Sequence, residues 1–254
     1  MESIQTFKRL KILSYNIHKG FSLGNRRYIL DLIRQSIRSV DADIVFLQEI
    51  IGKHDLPDHH KLIWPKNSQF EYLADGVWHH YAYGKNAVYK SGDHGNAILS
   101  RYPIKKWDNF DISTNNFEKR GLLHAVIGVE NSPPVHLISL HLDLFENGRT
   151  SQVEKICHHV ENLIPQNEKL ILAGDFNDWR EKITNKLENR LKLQEVFQKL
   201  YGKHCKTFPS FFPVLCLDRI YVRNINIQSG KVLHGEPWNK LSDHLAIFAE
   251  INID

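Results

Sequence analysis

Cysteine is scarce and poorly spaced for cross-linking. Cys157, Cys205 and Cys216 are the only three in 254 residues, an odd number with no CxxC pair, which excludes a disulfide framework and a structural zinc site. They read as packed thiols, because free Cys behaves as a small hydrophobe. Long apolar runs are missing as well. No stretch reaches the roughly 18 residues a membrane span needs, and Met1 to Arg9 carries charges without the apolar core of a secretory signal. A cytoplasmic protein is the expectation. An excess of one charge is also lacking: 33 basic against 29 acidic side chains leave a formal charge of +4, with no basic tract of the kind used to grip long nucleic acid. A local basic groove stays open, since net charge does not report distribution. Internal repeats, low-complexity segments and polar linkers are absent, so one domain over residues 1–254 is the simplest account.

What is present is 42% apolar side chains, ample for a core, arranged as short strand-like runs among a few amphipathic helices. Leu10 to Tyr15, Asp43 to Leu47, Ala97 to Ser100, Leu170 to Ala173, Ile220 to Val222 and Leu245 to Ile251 read as strands. Gly121 to Val129 and Val135 to Leu140 read as a hairpin interrupted by Pro133-Pro134. Helical spacing links Ile29, Ile33, Ile37 and Val40 after Gly24-Asn25, and a second helix is expected over Arg149 to Ile164, where Pro165 stops it. Residues 50–93 read as irregular. Interleaved strands and helices suggest two sheets packed face to face with helices outside.

Six segments place polar, metal- or phosphate-competent residues just beyond apolar strand runs: SYNIHKG (14–20), LQE (47–49), SLHLD (139–143), AGDFND (173–178), LDRIYV (217–222) and SDHLAIF (242–248). Rigid scaffolds hold catalytic groups at such strand ends. In AGDFND, a glycine that permits a tight turn precedes Asp175 and Asn177, which project the same way if the extended chain continues. A carboxylate there suits a metal or a water, and an amide suits a phosphate oxygen; a plain turn is the alternative. Asp243 offers a hard oxygen ligand, and His244 an acid, base or phosphate contact. An N-cap beside a surface His competes with that reading. Asp218 needs a partner, either a catalytic imidazole or Arg219. Glu49 needs a metal or a lysine. His141 is alternatively a core histidine, and Asn16 a turn cap.

The ordered set NIHKG, DIVFLQE, GNAILSRYPI, HLDL, GDFND, LDRIYV and SDH resembles the endonuclease/exonuclease/phosphatase superfamily, which contains pancreatic deoxyribonuclease, apurinic endonucleases, neutral sphingomyelinases and inositol-polyphosphate phosphatases. The match runs from about Leu10 to the C-terminus, and its detailed form is similar to a branch of small bacterial proteins. The resemblance implies an α/β fold, a four-layer α/β/β/α sandwich of two mixed, mostly antiparallel sheets with helices outside. It implies a Mg²⁺ cofactor, with Mn²⁺ as the substitute, held by Glu49 and Asp243 with Asn16 beside them. Asp175 would position or activate water and Asn177 would contact phosphate. His141 and His244 would contact phosphate and serve in acid–base work, with Asp218 orienting His244. One departure is His18, where related nucleases carry an acid two positions after the Asn. The family's further Tyr or Arg contact has Arg120 as its candidate, against an ion pair with Glu118, and His94 as a weaker one; His18 joins them as a phosphate contact.

The implied activity is metal-assisted hydrolysis of a phosphate ester by in-line attack of water, most simply a nuclease-like phosphodiesterase acting on DNA or RNA. A phospholipid or small-molecule phosphodiesterase or phosphatase is the runner-up. From another class, a catalytically inactive phosphate-binding module is opposed by the retention of all eight site residues. No partner protein is inferred. Trp64, Phe70, Tyr72, Trp78, Tyr81 and Tyr83, between Gly52 and Gly92, read as a small satellite core rather than as base-stacking groups. TFPSFFPVL (207–215) lacks the amphipathic period and basic flanks of an interfacial anchor and is expected to be a buried irregular loop.

Overall fold

The computed structural model describes residues 8–22, 27–54, 67–89, 92–115 and 118–253. The first strands in chain order are β1 (Lys8–Asn16), β2 (Ile44–His54), β3 (His80–Tyr89), β4 (Gly92–Ser100), β5 (Ile104–Asp111) and β6 (Gly121–Ile127). They are followed by β7 (Val135–His141), β8 (Lys169–Asp175), β9 (Gln194–Glu195), β10 (Asp218–Arg223), β11 (Asn226–Val232) and β12 (Ile247–Ile253). The helices are α1 (Leu30–Ser39), α2 (Gln69–Ala74), α3 (Glu146–Leu163), α4 (Thr184–Leu191), α5 (Val196–Tyr201) and α6 (Trp238–Leu241). One sheet has the order β11-β12-β1-β2-β4-β3 and the other β5-β6-β7-β8-β10-β9. Each contains one parallel pair, β1 with β2 and β7 with β8, and is otherwise antiparallel. The α/β sandwich expected from the sequence is the observed architecture.

Strand periodicity explains the layers. Leu10 and Ile12 of β1, Ile44 and Phe46 of β2, Leu137 of β7, Ile171 and Ala173 of β8, and Ile220 and Val222 of β10 fill the core between the sheets. Their alternates point outward. Leu13, Tyr15, Val45 and Leu47 pack under α1, α2 and α6, and Ile138, Leu172 and Tyr221 pack with Val153, Ile156 and Val160 of α3 and Leu187 of α4. Helix α5 departs from the outer layers: Val196 and Phe197 join the core between the sheets.

The described residues of 50–93, namely 50–54, 67–89, 92 and 93, are not irregular, as the sequence suggested. They extend β2 to His54, form α2 behind a Ser68–Glu71 capping box, and supply β3 and the start of β4. Bulges in the β2–β4 and β3–β4 pairings interrupt the alternation on which strand recognition relies. Trp78 is buried, and Phe70, Tyr72 and Tyr83 pack at the edge of the first sheet's outer cluster, so these four belong to a main layer rather than to a satellite, whereas Tyr81 is exposed. Trp64 and Gly24-Asn25 lie outside the described residues.

The outer face of the second sheet holds a chain of histidines. His159 Nε2 lies 3.0 Å from His124 Nδ1, His124 Nε2 lies 2.8 Å from His136 Nδ1, and His136 Nε2 meets the Glu168 carboxylate. Phe110 packs on the His159 ring at 4.3 Å between centroids. Burial drives His124 down to about 3 and His159 to about 4, and it lowers His136 despite the raising effect of Glu168. Lys106 and Arg223 oppose protonation from neighbouring strands, whereas Asp108 favours it at His159. Because these folded-state values are depressed, their contribution to stability is complete above the ordinary imidazole value of 6.5 and is lost as pH falls toward about 4. Urea midpoints measured across that interval are expected to fall with acidity. The slope should be shallower in His159→Phe, which leaves His124 bonded to His136. A midpoint with no pH dependence over this range would rule out a chain of neutral rings.

Candidate active site

The inward-facing rows of the strands run on into polar residues at one end of the sandwich. In β1 the row Leu10, Ile12 continues to Ser14 and Asn16; in β8 the row Ile171, Ala173 ends at Asp175; in β7 Leu137 leads to Ser139 and His141. Strand β10 runs antiparallel to β8 and starts with Asp218 opposite Asp175. His141 stands opposite Asp175 on the other side. Strand β12 pairs Ile247 with Ser14, so Ser242 to His244 emerge beyond the end of β1. Directionality therefore brings residues from five distant segments to one edge.

Two local devices complete the convergence. The alternation of β2 would aim Glu49 with Val45 and Leu47 toward the helices. A bulge between Leu47 and Ile50, with Glu49 at φ 53°, breaks that row, and the Glu49 side chain lines the cleft with Asp175 and Asp243. Asn177 has φ 49° and lies past the end of β8, so the extended chain does not continue as the sequence suggested. Its backbone N–H instead donates to Asp175 Oδ1 (2.9 Å), and its side-chain amide donates to the Leu142 carbonyl (3.0 Å). Gly174 is within the strand rather than in a turn; a Cβ there would lie 1.9 Å from the Leu140 carbonyl oxygen, so glycine permits the close approach of β7.

Asp175 is the junction. Its Oδ2 accepts from the Asn16 amide (3.2 Å) and lies 3.5 Å from His141 Nε2 and 3.7 Å from His244 Nε2. Burial raises its carboxyl to about 6, with the Asp218 charge adding to the rise and His244 and the hydrogen bonds opposing it. His244 Nδ1 is 2.9 Å from Asp218 Oδ2. Burial works against its charge, but Asp218 and Asp175 outweigh that and hold the imidazole well above its usual range. His141 goes the other way: burial, then Arg120 and His244, push it well below, so it is neutral. Two histidines at one carboxylate are thus set to different protonation states.

A cleft of about 400 Å³ opens over these groups. Glu49, His141, Asp175, Asn177, Asp243, His244, His94 and Arg120 line it. Asn16 and Asp218 are buried beside it, bonded to Asp175 and His244 respectively. His18 stands 3.8 Å from Asp243 Oδ1, and its backbone N–H donates to Asn16 Oδ1 (3.1 Å). Arg120 pairs with Glu118 and also lines the cleft, and burial raises the Glu118 carboxyl. Of the open alternatives, Arg219 bonds Asp178, not Asp218. His94 is half-buried, lowered by burial, and stacked on Tyr89.

The donor chemistry fits a hard divalent cation. Asp175, Asp218 and His244 bring ligand atoms within 4.8 Å of one another, but Asp218 and His244 are bonded to each other. The oxygens less committed within the protein belong to Glu49, which has one 3.5 Å contact from Asn16, and to Asp243, which accepts from Ser242 at 3.2 Å. Carboxylate oxygens beside an amide are the ligand type Mg²⁺ and Mn²⁺ favour.

Several residues escaped the sequence reading. Thr207 donates to Asp218 Oδ2 (2.5 Å) and its carbonyl accepts from the Leu245 amide (2.8 Å), tying the 207–215 loop to both β10 and the SDH segment. Phe208 packs on the His244 ring at 5.0 Å. Lys19 lines the cleft, and the quoted NIHKG run was its only signal. The loop itself is irregular but not buried: Phe211 and Phe212 are 64% and 69% exposed. Only its Thr207, Phe208, Ser210 and Leu215 turn inward, because these bond or pack against the site.

The profile of the Endonuclease/Exonuclease/phosphatase family matches residues 13–244. The Escherichia coli (strain K12) protein YbhP is 44% identical over 244 residues, covering 96% of each chain. Among solved structures, the Bacteroides vulgatus endonuclease/exonuclease/phosphatase superposes with a TM-score of 0.77 at 18% identity, covering 97% of this chain and 100% of that one. D. rerio TDP2 in complex with a single-strand DNA product superposes with a TM-score of 0.71 at 19% identity, covering 96% and 99%. With its sandwich, its strand-end polar residues and a profile match over nearly its whole length, the chain belongs to the endonuclease/exonuclease/phosphatase family.

Proposed function

We propose that this protein is a divalent-metal-dependent phosphodiesterase, nuclease-like in chemistry, that cleaves its ester by in-line attack of water. The observation that carries the reading is the gathering of Glu49, His141, Asp175, Asn177, Asp243 and His244 around one cleft from segments far apart in the chain. A nucleic-acid substrate draws support from the fold shared with D. rerio TDP2, which was solved with a single-strand DNA product.

Glu49 and Asp243 would hold Mg²⁺ or Mn²⁺, with Asn16 beside them. Once bound, such an ion offsets phosphoryl charge and makes water a better nucleophile. Asp175 orients the attacking water and takes its proton, a role suited to a carboxyl raised toward neutrality. Asn177, His141 and His244 donate toward phosphoryl oxygens as charge develops there. Asp218 holds His244 Nδ1, which leaves Nε2 facing Asp175 and the cleft. Thr207 holds Asp218 in turn.

Hydrolysis of bis-p-nitrophenyl phosphate is expected with Mg²⁺ or Mn²⁺ and is expected to stop on adding EDTA; no turnover with either metal would favour an inactive phosphate-binding module. Asp175→Ala and His244→Ala should each lower kcat on the order of 100- to 10,000-fold, with circular dichroism unchanged. Near-normal turnover in both would mean the chemistry lies elsewhere. A panel of plasmid, abasic oligonucleotide and phospholipid vesicles separates the substrate classes, and a nuclease should weaken as salt rises.

Removing the Thr207 hydroxyl leaves the buried Asp218 short of a donor. Thr207→Val should therefore cost about 1–3 kcal/mol in urea denaturation, and Thr207→Ser should recover most of it. Equal stability of the Val and Ser variants would show that the Thr207–Asp218 bond contributes little.

A further inference from the structure

Large apolar side chains are unevenly exposed. Of the 13 exposed large hydrophobics among the described residues, eight stand on segments that border the cleft. Phe211, Phe212 and Val214 project from the loop whose Phe208 and Leu215 form one wall. Leu144 and Phe145 precede α3, and Phe145 is 75% exposed. Trp179 follows the GDFND run, with the Arg149 guanidinium 4.8 Å behind its ring. The remaining pair, Val88 and Tyr89, ends β3. Four segments distant in the chain thus form an apolar collar around one polar opening. Scattered surface hydrophobics are ordinary, but a grouped set rimming a site marks an interaction surface.

The chemistry of the collar narrows its partner. The collar mixes five rings with the aliphatic Val88, Leu144 and Val214, which offer no face to a base, so it suits acyl chains along its whole extent and stacked bases only in part. The protruding phenylalanines are knobs, and a second copy would have to receive them against a cleft floored by Asp175, His141 and His244, where an apolar ring displaces water from polar groups without replacing its hydrogen bonds. A layer that is apolar just beneath a phosphate-bearing surface accepts both the knobs and the opening between them. Charge agrees. From Val196 to Leu217 the chain has no acidic residue, and Lys199, Lys203 and Lys206, too spread along the chain to form a basic cluster in the sequence, are exposed. Lys19 and Lys119 line the cleft, where Glu118 is paired with Arg120 and the carboxylates of Glu49, Asp175 and Asp243 surround the proposed cation site. Lysines near an anionic leaflet are attracted to it.

We propose that this collar docks the protein on the surface of an anionic phospholipid bilayer, with the loop phenylalanines inserted at the headgroup boundary and the cleft facing the lipid phosphates. The attachment is peripheral, and no helix among the described residues is long and apolar enough to cross a membrane. It does not depend on catalysis, so it stands or falls separately from the phosphodiesterase reading.

Flotation of the full chain with vesicles of phosphatidylcholine, with and without phosphatidylglycerol, tests it. The protein should float with the phosphatidylglycerol vesicles and much less with phosphatidylcholine alone. A Phe211→Ser/Phe212→Ser variant, and separately Phe145→Ser, should partition at least about tenfold more weakly, from the apolar burial lost. Their circular dichroism and urea midpoints should match those of the unsubstituted protein, which checks that the fold survives. Three results would overturn the proposal. One is a protein that stays in the soluble fraction with both vesicle types. Another is equal flotation of the substituted and unsubstituted chains. The third is a collar whose substitution abolishes instead a concentration-dependent dimer in sedimentation, or the binding of a single-stranded oligonucleotide, while vesicles are ignored.

Discussion

A buried carboxylate shared between two sheets organises this molecule. Asp175 stands at the end of β8 in the second sheet, yet the amide that bonds its Oδ2 comes from Asn16 at the end of β1 in the first. Apolar packing alone would hold the sheets together without fixing how their ends meet. A carboxylate removed from water must find donors, and here they are Asn16 and the Asn177 backbone, with two imidazole nitrogens standing 3.5 and 3.7 Å away. The donors to that one group come from both sheets, and the cleft opens above it. Asp218, bonded to His244 and Thr207, extends the same logic to the C-terminal segment.

Four of the nine non-glycine residues with positive φ among the described residues stand around this junction. His18, Lys19, Glu49 and Asn177 all adopt left-handed conformations without being glycine, each at a cost of about 1–3 kcal/mol. A strand that ended regularly would send Glu49 into the helix layer and would lose the bond from the Asn177 backbone to Asp175. The strain is what turns a row of strand ends into an enclosure, and the rigid sandwich beneath is what sustains it. The histidine chain from His159 to Glu168 lies on the opposite side of the second sheet, on the outward-facing row, so its titration bears on the stability of the layer rather than on the chemistry of the cleft.

The sequence was informative where physics is local. Period-two apolar rows in β1, β7, β8 and β10 marked both the strands and the polar residues that follow them, and motif order carried the family. It was silent where the period breaks. The bulged segments of β2, β3 and β4 looked irregular, although they form half of a sheet. The 207–215 loop looked buried because its composition is apolar, whereas its two adjacent phenylalanines face solvent. Composition measures how hydrophobic a segment is, not which way each side chain turns.

By itself, then, the chain determined its layers and the kinds of groups at their ends, because both follow from alternation along single strands. Only the tertiary structure decided which of those groups meet. Parallel and antiparallel pairing brought Asp218 opposite Asp175, and a left-handed residue in a bulge turned Glu49 into the cleft. It also gathered Tyr89, Leu144, Trp179 and Leu215 from four distant segments around one opening. Those are relations between residues up to hundreds of positions apart, and no local pattern of propensity or hydrophobicity encodes them.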